Sequence, residues 1–187
     1  MAARSTMAWI LIHLRMEAHD EDSEVWADDK LQRILDLHCR YVSREKLSKD
    51  PTERVFRSQY RFMEGATTSS AVSSGTTEWT GAGDANECIN IWDGADDGAS
   101  AVTPDNFNLM QGVFRWDADQ EGDVYYLDAY SYDIHAVLAD CMRQLAKDPH
   151  KAKRWDRGGV SYTHYDYTEM AKDHDKRSGA VSGRLVI

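Results

Sequence analysis

The hydrophobic period changes twice along this 187-residue chain, and that change constrains the fold more than any single motif. Near both ends, apolar residues recur every three or four positions, which is typical of amphipathic helices. Between them, aromatic and β-branched residues alternate with polar ones over short stretches, which favours strands. The sequence therefore predicts an α+β fold: a small helical bundle core built from both ends of the chain, with a β-rich insertion between the N-terminal and C-terminal helices.

Two helices are predicted in the N-terminal part. The first covers residues 7–17. The second is predicted to begin at Asp28 as its N-cap and to run through Tyr41, with helical propensity continuing to Ser48 before Pro51 breaks it. The predicted buried faces of these helices hold Ile10, Leu11, Leu14, Leu31, Ile34, Leu35 and His38.

Two more helices are predicted in the C-terminal part. Asp133 is the predicted N-cap of the longer one, which ends before Pro149. Thr163 and Asp166 resemble a capping box at the start of the last helix. The predicted inward faces hold Ile134, Val137, Leu138, Cys141 and Leu145 in the first, and Tyr167, Met170, Ala171 and His174 in the second.

Strands are predicted within the middle of the chain, at residues 55–62, 88–92, 110–116 and 124–130. A Ser/Thr/Gly-rich segment, residues 65–79, is predicted to be a loop. These elements indicate a discontinuous helical core, residues 1–50 and 131–177, a β-rich insertion, residues 51–130, and a flexible tail, residues 178–187.

Residues 117–128, DADQEGDVYYLD, follow the spacing of an EF-hand calcium loop. Asp117, Asp119 and Glu121 occupy the first, third and fifth positions of such a loop, which supply ligands, while Gly122 occupies the sixth and Asp128 the twelfth. True EF-hand loops join two helices, whereas strand-forming residues flank this one. The favoured interpretation is an acidic hairpin connection with no metal. The alternative is a calcium-binding module that uses residues 117–128.

The formal net charge is −10, which disfavours binding to free nucleic acid. Asp outnumbers Glu and Lys is scarce, so adaptation to high salt is one hypothesis and an ordinary acidic protein the other. No apolar run is long enough to cross a membrane. The three cysteines, Cys39, Cys88 and Cys141, form no CxxC pair, which indicates reduced thiols and a cytoplasmic origin.

No catalytic residue and no cofactor is predicted. The seven histidines are scattered, and none belongs to an HExxH or zinc-type pattern. Neither a GxSxG motif nor a P-loop occurs. A hydrolase therefore ranks below a structural protein or a binding module.

Three segments resemble the head-to-tail adaptor (connector) proteins of long-tailed phages and archaeal tailed viruses. The first is LIHLRMEAHDEDSEVWADDKLQRIL, residues 11–35, which follows the pattern LR…D…W-x-D-x-x-L-x-x-I-L. The second is YSYDIHAVLADCMRQLA, residues 130–146. The third is RWDRGGVSYTHYDYTEMAKDH, residues 154–174. They cover about half of the chain, and the β-rich middle matches less well. Val137 and Leu138 also depart from the family, which often has a run of small residues there.

The resemblance implies a structural, non-enzymatic protein of the virion neck, assembled in the host cytoplasm. Such proteins form a ring, usually twelve-fold, that binds the portal protein on one side and the next neck or tail protein on the other. DNA passes through the channel without specific binding. In several relatives the C-terminal segment grips the portal, so we expect Arg184, Leu185, Val186 and Ile187 to bind this partner. A tail-completion or stopper protein is the alternative within the same machinery.

Overall fold

The computed structural model describes residues 5–20, 25–51, 54–65, 89–148 and 164–181. Within these ranges it contains four α-helices and two four-stranded antiparallel sheets. The predicted α+β class is therefore confirmed.

The chain divides into two compact units. The helical unit contains Met1–Cys39 and Asp133–Ile187, and the β unit contains Arg40–Tyr132. The two ends of the chain thus share one hydrophobic core, whereas the middle forms its own.

The N-terminal part of the helical unit contains a 3₁₀ turn, Ser5–Met7, followed by α1, Ala8–Glu17, and then α2, Asp28–Leu37. Both helices bury the apolar faces that their sequence period predicts, because those side chains repeat on one side of each helix. The predicted core residues that are buried here are Ile10, Leu11, Leu14, Leu31, Ile34 and Leu35.

The C-terminal part contains α3, Ile134–Lys147, and α4, His164–Val181, which pack along each other. The carboxylate of Asp133 accepts a hydrogen bond from the backbone N–H of Ala136, so the predicted N-cap is confirmed. The predicted stripe of α3, from Ile134 to Leu145, is also buried. On α4, Tyr167 and Ala171 are buried, whereas Met170 and His174 are half-buried.

Two predictions about α2 are wrong. Ala27, in an extended conformation, is the N-cap, while Asp28 lies in the first turn and its carboxylate binds Arg15. The helix also ends at Leu37 instead of continuing to Ser48, and Cys39–Lys46 form a strand. Hydrogen bonding to another strand outweighs the local helical propensity of these residues.

The predicted tail begins too early, because helix α4 extends through Val181. Thr163, the predicted cap of this helix, lies outside the described residues, as do the Ser/Thr-rich residues 66–79.

The β unit contains two sheets of short strands. The first sheet has the order β1-β8-β4-β5 and the second the order β2-β3-β7-β6. The strands are β1 Cys39–Lys46, β2 Ser48–Lys49, β3 Val55–Arg57, β4 Ile89–Trp92, β5 Ala101–Val102, β6 Asn106–Asn108, β7 Val113–Arg115 and β8 Tyr126–Tyr132. β1 begins in the last residue of the helical unit.

A row of phenylalanines lies on one face of the second sheet. Phe114 is opposite both Phe56 and Phe107 in the antiparallel ladders. Phe56 and Phe114 are buried, and the ring of Phe56 also contacts Trp116 and Tyr125 at centroid distances of 5.1 Å and 4.8 Å. Because side chains alternate along a strand, the neighbours of these phenylalanines lie on the other face.

The acidic segment after β7 is not the predicted hairpin connection. β7 pairs with β3 and β6, whereas β8 belongs to the first sheet, so this segment joins two sheets. Gly122 has a φ of +80°, as its predicted place in a turn requires. The predicted strand at 55–62 is also shorter: β3 ends at Arg57, the backbone N–H of Tyr60 then donates to the hydroxyl of Ser58, and Phe62 has a φ of +52°.

Candidate functional site

The predicted portal-binding residues, Arg184, Leu185, Val186 and Ile187, lie outside the described residues. The helix that leads to them ends at Val181 and is fixed near its C-terminus. The hydroxyl of Ser178 donates a hydrogen bond of 2.8 Å to the carboxylate of Asp133, at the start of α3. The carboxylate of Asp133 therefore connects two helices, because one oxygen caps the N-terminus of α3 and the other accepts the hydrogen bond from Ser178 on α4.

The first adaptor-like segment folds around the guanidinium group of Arg15. This group donates hydrogen bonds to the carboxylates of Asp20 and Asp28, at 3.0 Å and 2.6 Å, and to the carbonyl of Trp26 at 2.7 Å. The carboxylate of Asp20 in turn accepts from the backbone N–H groups of Val25 and Trp26. The network joins the end of α1 to the start of α2, and each side chain in it belongs to the pattern LR…D…W-x-D.

A second hydrogen-bonded network, centred on Asp140 of α3, links the end of α2 to α3 and α4. The Nε2 atom of His38 lies 2.8 Å from the carboxylate of Asp140, which also accepts a hydrogen bond from Arg143. Arg143 in addition pairs with Asp175 on α4. Partial burial alone would raise the pKa of Asp140, but the hydrogen bonds from His38 and Arg143 lower it. This carboxylate is therefore a stable anion that ties three elements together.

Histidines from three helices interact in the helical unit, where His135 and His174 are in contact and His13 is coupled to His135 electrostatically. The rings of His135 and His174 stack with centroids 5.7 Å apart, and their Nδ1 atoms are separated by 3.5 Å. Burial lowers the pKa of His13 and of His174, and the positive potential of a protonated His135 lowers both further. The charged groups around these rings are Glu17, Asp173 and Arg177. Among the described residues, no group of three or more side chains is arranged to hold a metal ion.

In the acidic segment, residues 117–128, the proposed last calcium ligand already has other partners. One carboxylate oxygen of Asp128 accepts a hydrogen bond from the backbone N–H of Arg44 at 2.6 Å, and the other from Nε1 of Trp92 at 2.9 Å. The guanidinium group of Arg44 lies over the Trp92 ring. Both carboxylate oxygens of Asp128 are thus engaged in contacts that hold β8 to its neighbours β1 and β4, and a calcium ion would compete with them.

The remainder of the acidic segment is ordered by a tyrosine. Tyr125 is buried, stacks on Trp116 and donates its hydroxyl proton to Oε1 of Gln120 at 2.6 Å, while Oδ2 of Asp123 lies 3.2 Å from the same hydroxyl. Burial, together with the negative charge of Asp123, raises the pKa of Tyr125 to about 12. The segment is therefore tied to the aromatic cluster of the β unit, while the carboxylates of Asp119 and Glu121 are exposed.

Exposed apolar side chains supply candidate interaction surfaces. Ile12 and Met16, one turn apart on α1, are 42% and 58% exposed, and Leu37 at the end of α2 is 78% exposed. In the β unit, the exposed rings of Tyr41 and Tyr130 lie 5.0 Å apart. Side chains of this kind often contribute to contacts between protein subunits.

Cys141 is a fully buried core residue of α3, and His38, the neighbour of Cys39, pairs with Asp140. In the described part of the chain, no helix is long and apolar enough to cross a membrane.

The sequence did not predict the Arg15 network or the interaction of the three histidines. The residues of the network share one sequence pattern, but a polar Arg15 on the apolar side of α1 is the only local signal that they contact each other. The histidines are separated by up to 161 positions, from His13 to His174, and nothing local relates them.

No family model, no curated protein and no solved structure matched this chain.

Proposed function

We propose that this chain is a structural head-to-tail adaptor of a tailed virus, without enzymatic activity, that forms a ring in the virion neck. The ring would extend the DNA channel between the portal protein and the next neck or tail protein. It would be assembled in the host cytoplasm and, by the resemblance, have twelve-fold symmetry.

The observation that carries this proposal is the placement of the three adaptor-like segments. The described parts of all three lie in the helical unit, apart from residues 130–132 of the second segment, which belong to β8. The letters of the first pattern also correspond to side chains that contact each other, since Arg15 binds Asp20 and Asp28 and the backbone of Trp26. A sequence pattern is stronger support when its members form one buried network than when they are scattered over a surface.

The charge and the exposed apolar residues agree with this role. A net charge of −10 repels DNA phosphates, so a channel wall of this kind would let DNA slide without being held. Ile12 and Met16 on α1 give the helical unit an apolar surface for contacts with a second copy or with the portal protein.

The proposed anchor to the portal consists of Leu185, Val186 and Ile187, following Arg184. Each large apolar side chain that becomes buried contributes about 1.5–3 kcal/mol before ordering costs. Repetition around a ring would strengthen attachment through avidity. The helix before this segment is held to the start of α3 by the Ser178–Asp133 hydrogen bond, so a portal protein bound to the anchor would be linked directly to the helical core.

Localisation in the particle tests the proposal directly. Antibodies raised against the purified protein should label the neck of intact virions in negative-stain electron microscopy. The mass of the ring isolated from the neck should equal an integral number of copies of this chain. Labelling of tail fibres or the capsid surface, or absence of the chain from purified particles, would contradict the proposed function.

The anchor is tested separately by deletion of residues 185–187. The truncated protein should keep its circular dichroism spectrum, yet fail to join portal-containing heads. A variant of unchanged length, with Leu185, Val186 and Ile187 replaced by serine, should lose attachment likewise, whereas the control Ser182→Ala leaves Arg184 and the three apolar residues in place and should retain it. If the deletion variant still joins heads at normal occupancy, the portal contact lies on the helical core, for example at Ile12 and Met16.

A further inference from the structure

The last part of α4 is joined to α3 by polar contacts. These contacts are His174 to His135, Asp175 to Arg143, and Ser178 to Asp133. Of the described side chains of α4, Tyr167 and Ala171 are buried, and both precede His174. Apolar burial therefore holds the earlier part of this helix, whereas contacts between polar groups hold its end. Segments of the second kind are the ones that open first when their contacts weaken.

The contact between His135 and His174 depends on the number of protons that the two rings carry. Their Nδ1 atoms are 3.5 Å apart and their centroids 5.7 Å apart. When both rings are neutral, or when one is cationic, an Nδ1–H of one ring can donate to the unprotonated Nδ1 of the other. When both rings are cationic, each Nδ1 is a donor and no acceptor remains between them. The second proton therefore replaces an attraction between α3 and α4 by a repulsion.

Charged groups on the neighbouring elements modulate this repulsion. They are His13 and Glu17 on α1, Asp173 and Arg177 on α4, the Asp175–Arg143 pair, and His38, which follows α2 and binds Asp140. Burial, His135 and Arg177 lower the pKa of His174, whereas Asp173 and Glu17 raise it. The first group prevails, and the pKa of His174 lies below its ordinary value of 6.5. The surroundings thus favour a neutral ring at this position.

We infer that His135 and His174 form an acid-sensitive clasp, which holds the end of α4 against α3 near neutral pH and releases it when both rings are protonated. The released part is residues 174–181, because Tyr167 and Ala171 are buried before it. The contact is fully present above pH 6.5 and is lost as the pH falls through the lowered pKa of His174. The clasp does not depend on the proposed function, although under that function the released end would lengthen the link between the helical core and residues 185–187.

Amide hydrogen exchange of the purified full chain tests the clasp. Exchange is measured by mass spectrometry at about pH 7.5 and at about pH 5, on the two sides of histidine titration, with each rate corrected for the pH dependence of an unstructured peptide. The protection of residues 174–181 should fall about tenfold or more at the lower pH, since two unit charges about 4 Å apart near a protein surface repel by more than that equivalent. Residues 137–145 of α3 should lose clearly less protection. An equal loss in both segments would overturn the clasp, because it would show only a global loss of stability.

Substitutions identify the groups responsible. His135→Gln and His174→Gln each remove one titrating ring, so residues 174–181 should lose most of their pH dependence. Asp175→Asn is the first control, because it alters the neighbouring ion pair but keeps both rings, and the fall in protection should persist. His19→Asn, at an exposed histidine of the same unit, is the second control and should behave as the native protein does. A fall of the same size in His174→Gln as in His19→Asn would overturn the clasp.

Nitrogen NMR of the native protein tests the same contact without a substitution. At about pH 7.5, one ring of the pair should carry its proton on Nδ1 and the other on Nε2, as a hydrogen bond between two Nδ1 atoms requires. As the pH is lowered, both rings should become doubly protonated while the backbone amide signals of residues 174–181 shift. Protons on Nε2 in both rings at neutral pH would contradict the clasp. So would double protonation of both rings that leaves the amides of residues 174–181 unchanged.

Discussion

The guanidinium group of Arg15 and the carboxylate of Asp20 lie 3.0 Å apart, and their side chains are only 7% and 1% exposed. A buried ion pair of this kind is costly to break, because removal of one partner leaves the other charge without compensation. Asp20 also accepts hydrogen bonds from the backbone N–H groups of Val25 and Trp26, so its carboxylate satisfies the backbone just before α2 as well as Arg15.

The first prediction follows from that pair. Arg15→Met should lower the free energy of unfolding by about 3–5 kcal/mol, because it leaves the Asp20 carboxylate buried and uncompensated. Urea denaturation monitored by circular dichroism measures this. Arg33→Met is the matched control, since Arg33 is 69% exposed in its pair with Asp29 and such surface pairs contribute about 0–1 kcal/mol. Equal losses in the two variants would show that the Arg15 network does not stabilise the helical unit.

The second prediction concerns pH and the interacting histidines His13, His135 and His174. Burial places the pKa of His13 and of His174 below their ordinary value of 6.5, which applies in the unfolded chain. The unfolded state therefore binds more protons than the folded state once the pH approaches 6.5. The free energy of unfolding should fall as the pH is lowered through this value, and the loss should be complete below the folded pKa values.

Urea unfolding between about pH 5 and pH 8 measures this slope, in the range where histidines titrate. His174→Gln should flatten it, because this variant removes one of the two depressed groups. His19→Asn is the control: His19 is exposed with a φ of +52°, a conformation that Asn tolerates, and its replacement should leave the slope unchanged. A native protein whose stability is constant over this range would contradict the prediction.

The helices were largely predictable because their signals are local. Asp133 caps α3 through a hydrogen bond to Ala136, only three residues away, and the apolar stripe that follows is set by the helical period alone. By contrast, no Gly or Pro separates α2 from Cys39–Lys46, so the local sequence contains no signal that the helix ends and a strand begins. That strand is held by contacts such as Arg44 to Asp128, 84 positions apart.

The division of the strands between two sheets could not be predicted either. β7 and β8 are consecutive and separated by an acidic turn, which locally resembles a hairpin. The strands with which they pair are those that bury their apolar side chains. Phe114 on β7 lies opposite Phe56 and Phe107, whereas Leu127 on β8 lies opposite Ile91. A shift of one residue in this register would move these side chains to the other face.

The third prediction compares two glycines that both have positive φ. Gly112 has a φ of +65°, and a Cβ atom there would lie 2.2 Å from the carbonyl oxygen of Tyr60. Gly122 has a φ of +80°, but nothing lies within 4 Å of its Cβ position. Gly122→Ala should therefore cost only the conformational penalty of about 1–2 kcal/mol, whereas Gly112→Ala must also displace backbone and should cost clearly more. Thermal unfolding of the two variants measures the difference, and a smaller loss for Gly112→Ala would contradict the packing around Tyr60.

The last prediction decides between a structural and a calcium-binding role for residues 117–128. Asp128→Ala should destabilise the protein by about 1–3 kcal/mol for each of the two donors left without an acceptor, the N–H of Arg44 and Nε1 of Trp92. Because these contacts need no metal, the loss should be the same with excess calcium and with a chelator. Asp119→Ala, at an exposed acid of the same segment, is the control and should change stability little in either buffer. Calorimetry should detect no calcium site tighter than about millimolar in any of these proteins. A micromolar site abolished by both substitutions would mean that Asp128 exchanges its partners for calcium, and the chain would then be a calcium-dependent module.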